Sequence, residues 1–117
     1  MLARKPLSTE EFLEFIHKRI LRELLDIVIL GMLNKSRFPM SGYDVISFVH
    51  KKFGVLISSG TVYGLIHRME REGLMRGFWK GRKRVYTLTE KGKETIKALL
   101  DERNEIINLI EKLLRKD

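Results

Sequence analysis

Five consecutive residues, Lys80-Gly81-Arg82-Lys83-Arg84, hold four cations around one glycine. Charges crowded in this way repel one another in the free protein. They become favourable against a phosphate backbone or in a narrow minor groove. Upstream, Ser58-Ser59-Gly60-Thr61 sets hydroxyls and a glycine where a helix can begin, so side-chain oxygens and unpaired backbone amides meet at one point. Such a point suits phosphate oxygens. Thr61, Gly64, His67 and Arg68 then share one helix face, with Tyr63 at its border, opposite the apolar stripe Val62, Ile66 and Met69. The Tyr63 hydroxyl can donate to a phosphate, and Arg68 can reach either a phosphate or a guanine edge.

Other chemistry finds little support. His17, His50 and His67 are scattered and there is no Cys, so neither a metal site nor a cofactor is expected. No glycine-rich phosphate loop is present. Glu70 and Glu72 point to different sides of their helix and are read as solvated, and Ser58 and Ser59 have no evident base. An enzyme is therefore not expected.

The chain has 117 residues and a formal net charge of +8, unevenly spread: residues 1–57 carry +3, residues 58–89 carry +5, and residues 90–117 sum to zero. That concentration predicts a polyanion partner. The length suits one domain, 1–117, and 44% apolar residues suffice for a core. The longest apolar run, residues 27–33, is too short to span a bilayer. Residues 1–20 mix charges and contain no apolar signal core, so the expectation is a cytoplasmic protein with no membrane partner.

The elements that must position these residues follow from spacing. Ser8 and Glu11 form a capping-box pattern, and apolar residues then recur at helical period to Leu33, as two helices, about 9–20 and 21–34, or as one long bent helix. Ser41 and Asp44 cap the next helix, Tyr43, Ile46, Val49 and Phe53 follow at core-facing spacing, and Gly54 stops it. Ser58 and Ser59 cap the helix that ends at Gly73. Residues 74–80 and 84–89 have strand character and are joined by the turn Gly81-Arg82-Lys83. Thr89 caps a last helix, about 90–115, roughly 39 Å long. The fold class is mainly α with a small β-hairpin: a winged helix-turn-helix, core about 21–89, with an N-terminal helix and a long C-terminal dimerisation helix. The serines and Tyr43 at the caps, with Lys80, Arg82, Lys83 and Arg84, would supply phosphate contacts to double-stranded DNA. Thr61, Gly64, His67 and Arg68 would supply base contacts.

Three blocks carry a more specific signal: Ile29-Leu30-Gly31-Met32-Leu33 with Met40-Ser41-Gly42-Tyr43-Asp44-Val45-Ile46; Ser59 through Leu74; and Tyr86-Thr87-Leu88-Thr89-Glu90-Lys91-Gly92. Together they span residues 29–92 and resemble the PadR family of transcriptional regulators. The chain departs from the family pattern at Ser59 and Gly64, where Pro is frequent, and at Ser41, where Leu or His is. The resemblance implies a homodimeric repressor, one winged domain per subunit, bound to a pseudo-palindromic operator. It also implies a helical C-terminal dimer interface and, in some members, a small-molecule effector; no effector-binding residue is assigned. Ile96, Leu99, Leu100, Ile106, Ile107, Ile110, Leu113 and Leu114 form a broad apolar stripe that one small domain would not bury alone. Leu109 lies off it and Arg103 interrupts it. Phe12, Phe15 and Ile16 would pack on the partner subunit. The competing reading is a winged-helix module that binds protein without specific DNA binding.

Overall fold

Local capping chemistry sets most element boundaries in the computed structural model, which describes residues 6–116. Helix α1, Thr9–Glu23, starts from a reciprocal capping box in which Glu11 N donates to Ser8 Oγ (3.1 Å) and Ser8 N to the Glu11 carboxylate (3.3 Å). Helix α2, Leu25–Lys35, follows at once. The joint is Leu24 (φ −105°, ψ 15°), whose N–H still reaches Ile20 O at 3.0 Å. The N-terminal segment is thus two helices bent at Leu24 and not at residue 20. Leu25, Ile29, Leu30, Met32 and Leu33 of α2 are buried, making it the central helix.

Helix α3, Gly42–Phe53, starts at the Ser41–Asp44 capping box and ends at Gly54 with φ 68°. Helix α4, Ser59–Arg71, is capped by Ser58, whose Oγ accepts from Thr61 N at 3.2 Å. Strands β1, Met75–Lys80, and β2, Lys83–Leu88, pair antiparallel in the register Met75↔Leu88 to Lys80↔Lys83. The connection is therefore the two residues Gly81-Arg82, with Lys83 already in β2 and not in the turn. Gly81 has φ 63° while Arg82 stays negative, the combination a type II′ turn requires. Met40, just before α3, pairs with Tyr86 through two backbone bonds of 3.1 and 2.9 Å, tying the entrance of α3 to the wing.

The expected C-terminal helix of residues 90–115 is divided. Helix α5, Glu90–Asp101, is separated from α6, Arg103–Leu114, by Glu102 (φ −103°, ψ 15°). The division falls where packing ends: α5 buries Gly92 and Ile96 against the winged core, whereas α6 buries no residue. Arg103 donates to Leu100 O at 3.1 Å and satisfies a carbonyl at the break.

The start of α5 is pressed against the end of α4. Thr89 Oγ1 donates to Gly73 O (2.6 Å), and Lys91 Nζ to Glu72 O (2.8 Å). A Cβ on Gly92 would lie 1.9 Å from Leu74 O, a backbone atom that cannot swing aside. Gly92→Ala should lower unfolding free energy by about 3 kcal/mol or more, through displacement of α5. Denaturant unfolding checks this, and an unchanged midpoint would show that α5 can slide.

Candidate nucleic-acid interface

Helix α4 is two-sided. Val62, Ile66 and Met69 are buried, at no more than 1% exposure, while Ser58, Ser59, Thr61, Tyr63, Gly64 and His67 lie on exposed surface. Nothing approaches within 4 Å of the positions a Cβ would take at Gly60 and Gly64, so the backbone is open to a close neighbour. Tyr63 packs against the core and stays partly accessible. Its ring covers Gly42, where an added Cβ would meet it at 2.5 Å, and a third of the residue remains exposed. Tyr43, in the first turn of α3, is 70% exposed and Phe53 43%, so neither faces the core as their spacing suggested; Val45 and Val49 are buried there.

Several expected contact residues are placed differently. Ser41 is 5% exposed and its hydroxyl accepts from Asp44 N at 3.1 Å, so it is a buried cap with no route to a phosphate. Capping and anion binding call for the same residue type, and the sequence does not separate them. Arg68 is turned towards α2: its Nη2 lies 3.2 Å from Asp26 Oδ2 and its Nε 3.6 Å from Glu72 Oε1. In the DNA-free chain the side chain, about half exposed, lies between these two carboxylates. Ser58 Oγ is shared with Thr61 N and lies 2.9 Å from Thr61 Oγ1.

The wing divides its cations into two kinds. Lys80, Arg82 and Lys83 are exposed at the tip and have no carboxylate within 4.0 Å among the described residues. Arg84 is held: its Nη2 lies 3.6 Å from Glu70 Oε2, and its guanidinium sits 5.6 Å from the Trp79 ring centroid. Glu70 also faces His67, with Oε1 3.5 Å from Nδ1. Glu70 is therefore a half-buried bridge and not a solvated side chain. The His67–Glu70 half of the bridge was legible as an i,i+3 pair; the Arg84 half joins separate elements and left no local signal. Beneath them, burial first and Glu70 second raise the Tyr86 hydroxyl pKa above its ordinary value, while neighbouring Arg84 opposes the shift.

A second surface is apolar. Phe12 and Phe15 of α1 are half exposed, and Ile16 partly so. Leu100, Ile107 and Ile110 are exposed at 36–48%, and Leu113 and Leu114 at 75% and 80%. Ile106 is partly covered and, with Leu109, joins the α1 side chains around a cleft of about 350 Å³. Leu109 thus belongs to this surface even though it lies off the sequence stripe. Ile96, at 1% exposure, is committed to the chain's own interior and is not free to meet a partner, while Leu99 is partly buried against the same core.

A helix with an open N-terminal half, set beside a two-stranded wing with a cationic tip, defines a winged helix-turn-helix regulator. The chain belongs to the transcriptional regulator PadR-like family, whose model matches residues 29–98. It is therefore a transcriptional regulator and not an enzyme. Among solved structures, a PadR-like regulator from Bacillus cereus is 25% identical, with a TM-score of 0.70 over 85% of this chain and 99% of that one. A transcriptional regulator from Thermoplasma acidophilum is 27% identical at the same TM-score, again over 85% and 99%. Bacillus subtilis PadR, solved in complex with operator DNA, is 30% identical with a TM-score of 0.56, over 66% of this chain and 47% of that one. No match is found among curated proteins. None of the helices among the described residues is long and apolar enough to cross a membrane.

Proposed function

We propose that the protein is a homodimeric repressor that works in the cytoplasm, binds a pseudo-palindromic operator and acts by occluding it. The observation that carries this reading is the unpaired cationic tip, Lys80, Arg82 and Lys83, beside the open N-terminal half of α4. The tip would neutralise phosphates on one side of the helix, Ser59 and Tyr63 would bond phosphates nearer its start, and Thr61, Gly64 and His67 would face base edges. The operator complex of the Bacillus subtilis relative supports DNA as the partner. The exposed apolar faces of α1 and α6 support a second copy of the chain as the other.

An effector has a candidate seat as well. A cavity of about 330 Å³ opens between α1 and the end of α3, walled by Leu21, Val28, Phe53 and Val55, with His17 as its ionisable side chain. Its size and lining fit a small, mostly apolar molecule. Phe12 and Phe15 do not line it.

The test is selection of genomic fragments, including the gene's own upstream region, by the purified protein. The reading expects recovered sites with two-fold related half-sites whose centres lie about 34 Å, or a multiple of that, apart. Uniform weak binding to all fragments would favour the protein-interaction module instead.

A further inference from the structure

The carboxylate of Glu70, in the last turn of α4, is 23% exposed and meets the His67 imidazole and the Arg84 guanidinium, from different parts of the candidate DNA surface. His67 lies on the outward face of α4, and Arg84 lies on β2 of the wing. One acidic side chain therefore spans the recognition helix and the wing. The band continues at both ends: the Tyr63 ring stands 6.4 Å from His67 at 31°, and the Arg84 guanidinium rests over Trp79. The two separations, 3.5 Å to His67 and 3.6 Å to Arg84, are longer than the roughly 2.7–2.9 Å of a tight charge-assisted hydrogen bond. Both side chains are occupied without being fully satisfied. A phosphate oxygen carries the same charge as the carboxylate and can approach more closely.

Building on the DNA-binding reading above, we infer that Glu70 is an internal competitor for DNA phosphate. In the DNA-free protein it holds Arg84 and His67, and a duplex must displace it to engage them. The wing consequently contains two classes of cation. Lys80, Arg82 and Lys83 are open to any polyanion, whereas Arg84 is released when the duplex is close enough to replace Glu70. Binding to DNA that offers no base contacts is held down by this exchange. Arg68 is paired with Asp26 and Glu72 and does not touch Glu70.

Binding of the full chain to a mixed-sequence duplex, measured across a salt series for the wild type, Glu70→Gln and Glu70→Asp, tests this. Glu70→Gln keeps the side-chain shape and removes the charge. It should tighten binding about fivefold to tenfold at low salt and steepen the dependence of log K on log salt by roughly one per subunit. Glu70→Asp keeps the charge and should stay near the wild type. In the DNA-free protein, the emission of Trp79 should shift in Glu70→Gln and not in Glu70→Asp, because Arg84 leaves the indole only when its counter-charge is gone. Weaker or unchanged binding by Glu70→Gln, with an unchanged slope, overturns the inference and makes Glu70 a strut between helix and wing. A wild type that binds no duplex at all refutes the DNA-binding reading itself, whereas wild-type binding unaffected by Glu70→Gln refutes the competitor alone.

Discussion

Replacing Lys80, Arg82 and Lys83 together by Ala should weaken operator binding on the order of a thousandfold near 0.1 M salt. In a dimer the substitution removes six cations. Each phosphate that is no longer neutralised flattens the log K–log salt slope by about 0.9, so the slope should fall by about five. The fold should survive. All three side chains are exposed at the tip, and Gly81, which supplies the positive φ of the turn, is retained. Lys80 and Lys83 face each other across the ladder, so their removal also relieves a like-charge pair. The thermal midpoint should therefore hold or rise while DNA affinity collapses, and that opposition distinguishes a missing phosphate ligand from a damaged fold. Arg84→Ala should cost much less, because Arg84 already has a carboxylate partner in the free protein. A triple variant that binds more weakly with no change of slope would place the wing away from the phosphates.

The contrast between the tip and Arg84 marks what the sequence disclosed and what it withheld. Features with a local cause were legible. Ser8 with Glu11, Ser41 with Asp44, Ser58 and Thr89 are caps whose donors and acceptors lie three residues apart, and all four form. Gly54 and Gly73, at φ 68° and 77°, end helices because a left-handed residue is needed there. The hairpin followed from its β-branched and aromatic residues, although the turn proved one residue shorter because Lys83 pairs with Lys80. Features decided by tertiary packing were not legible. Asp26 and Arg68 are 42 residues apart, and no local pattern announces their 3.2 Å approach. The Met40–Tyr86 bridge has the same character. The exposed cations were thus readable from the chain, while the carboxylates that occupy some of them were not. The break at Glu102 is an intermediate case: Arg103 interrupts the apolar stripe beside it, but the packing of α5 and the exposure of α6 are what distinguish its two sides.

That break leads to the second large effect. Helix α6 has 12 residues and buries none of them in its own subunit. An isolated helix of that length is marginal in water, so packing against another surface has to hold it. Each Leu or Ile fully buried contributes roughly 1.5–3 kcal/mol, and a two-fold interface counts every one twice. Ile110→Asp with Leu113→Asp should therefore convert the proposed dimer to monomer at micromolar concentration, as read by sedimentation equilibrium. Far-UV circular dichroism should lose about the helicity of α6, while the buried winged core, including Ile96 and Leu99 of α5, keeps its cooperative melt. DNA binding should fall about 10²- to 10⁴-fold, because the second half-site is no longer presented at high effective concentration. The wing is intact in this variant, so the salt slope should drop to about half. The triple wing variant makes the opposite separation, remaining a dimer with a flattened slope. A charged α6 that stays dimeric would move the interface to the phenylalanine face of α1, where Phe12 and Phe15 remain half exposed. Phe12→Asp with Phe15→Asp would then be the variant that dissociates.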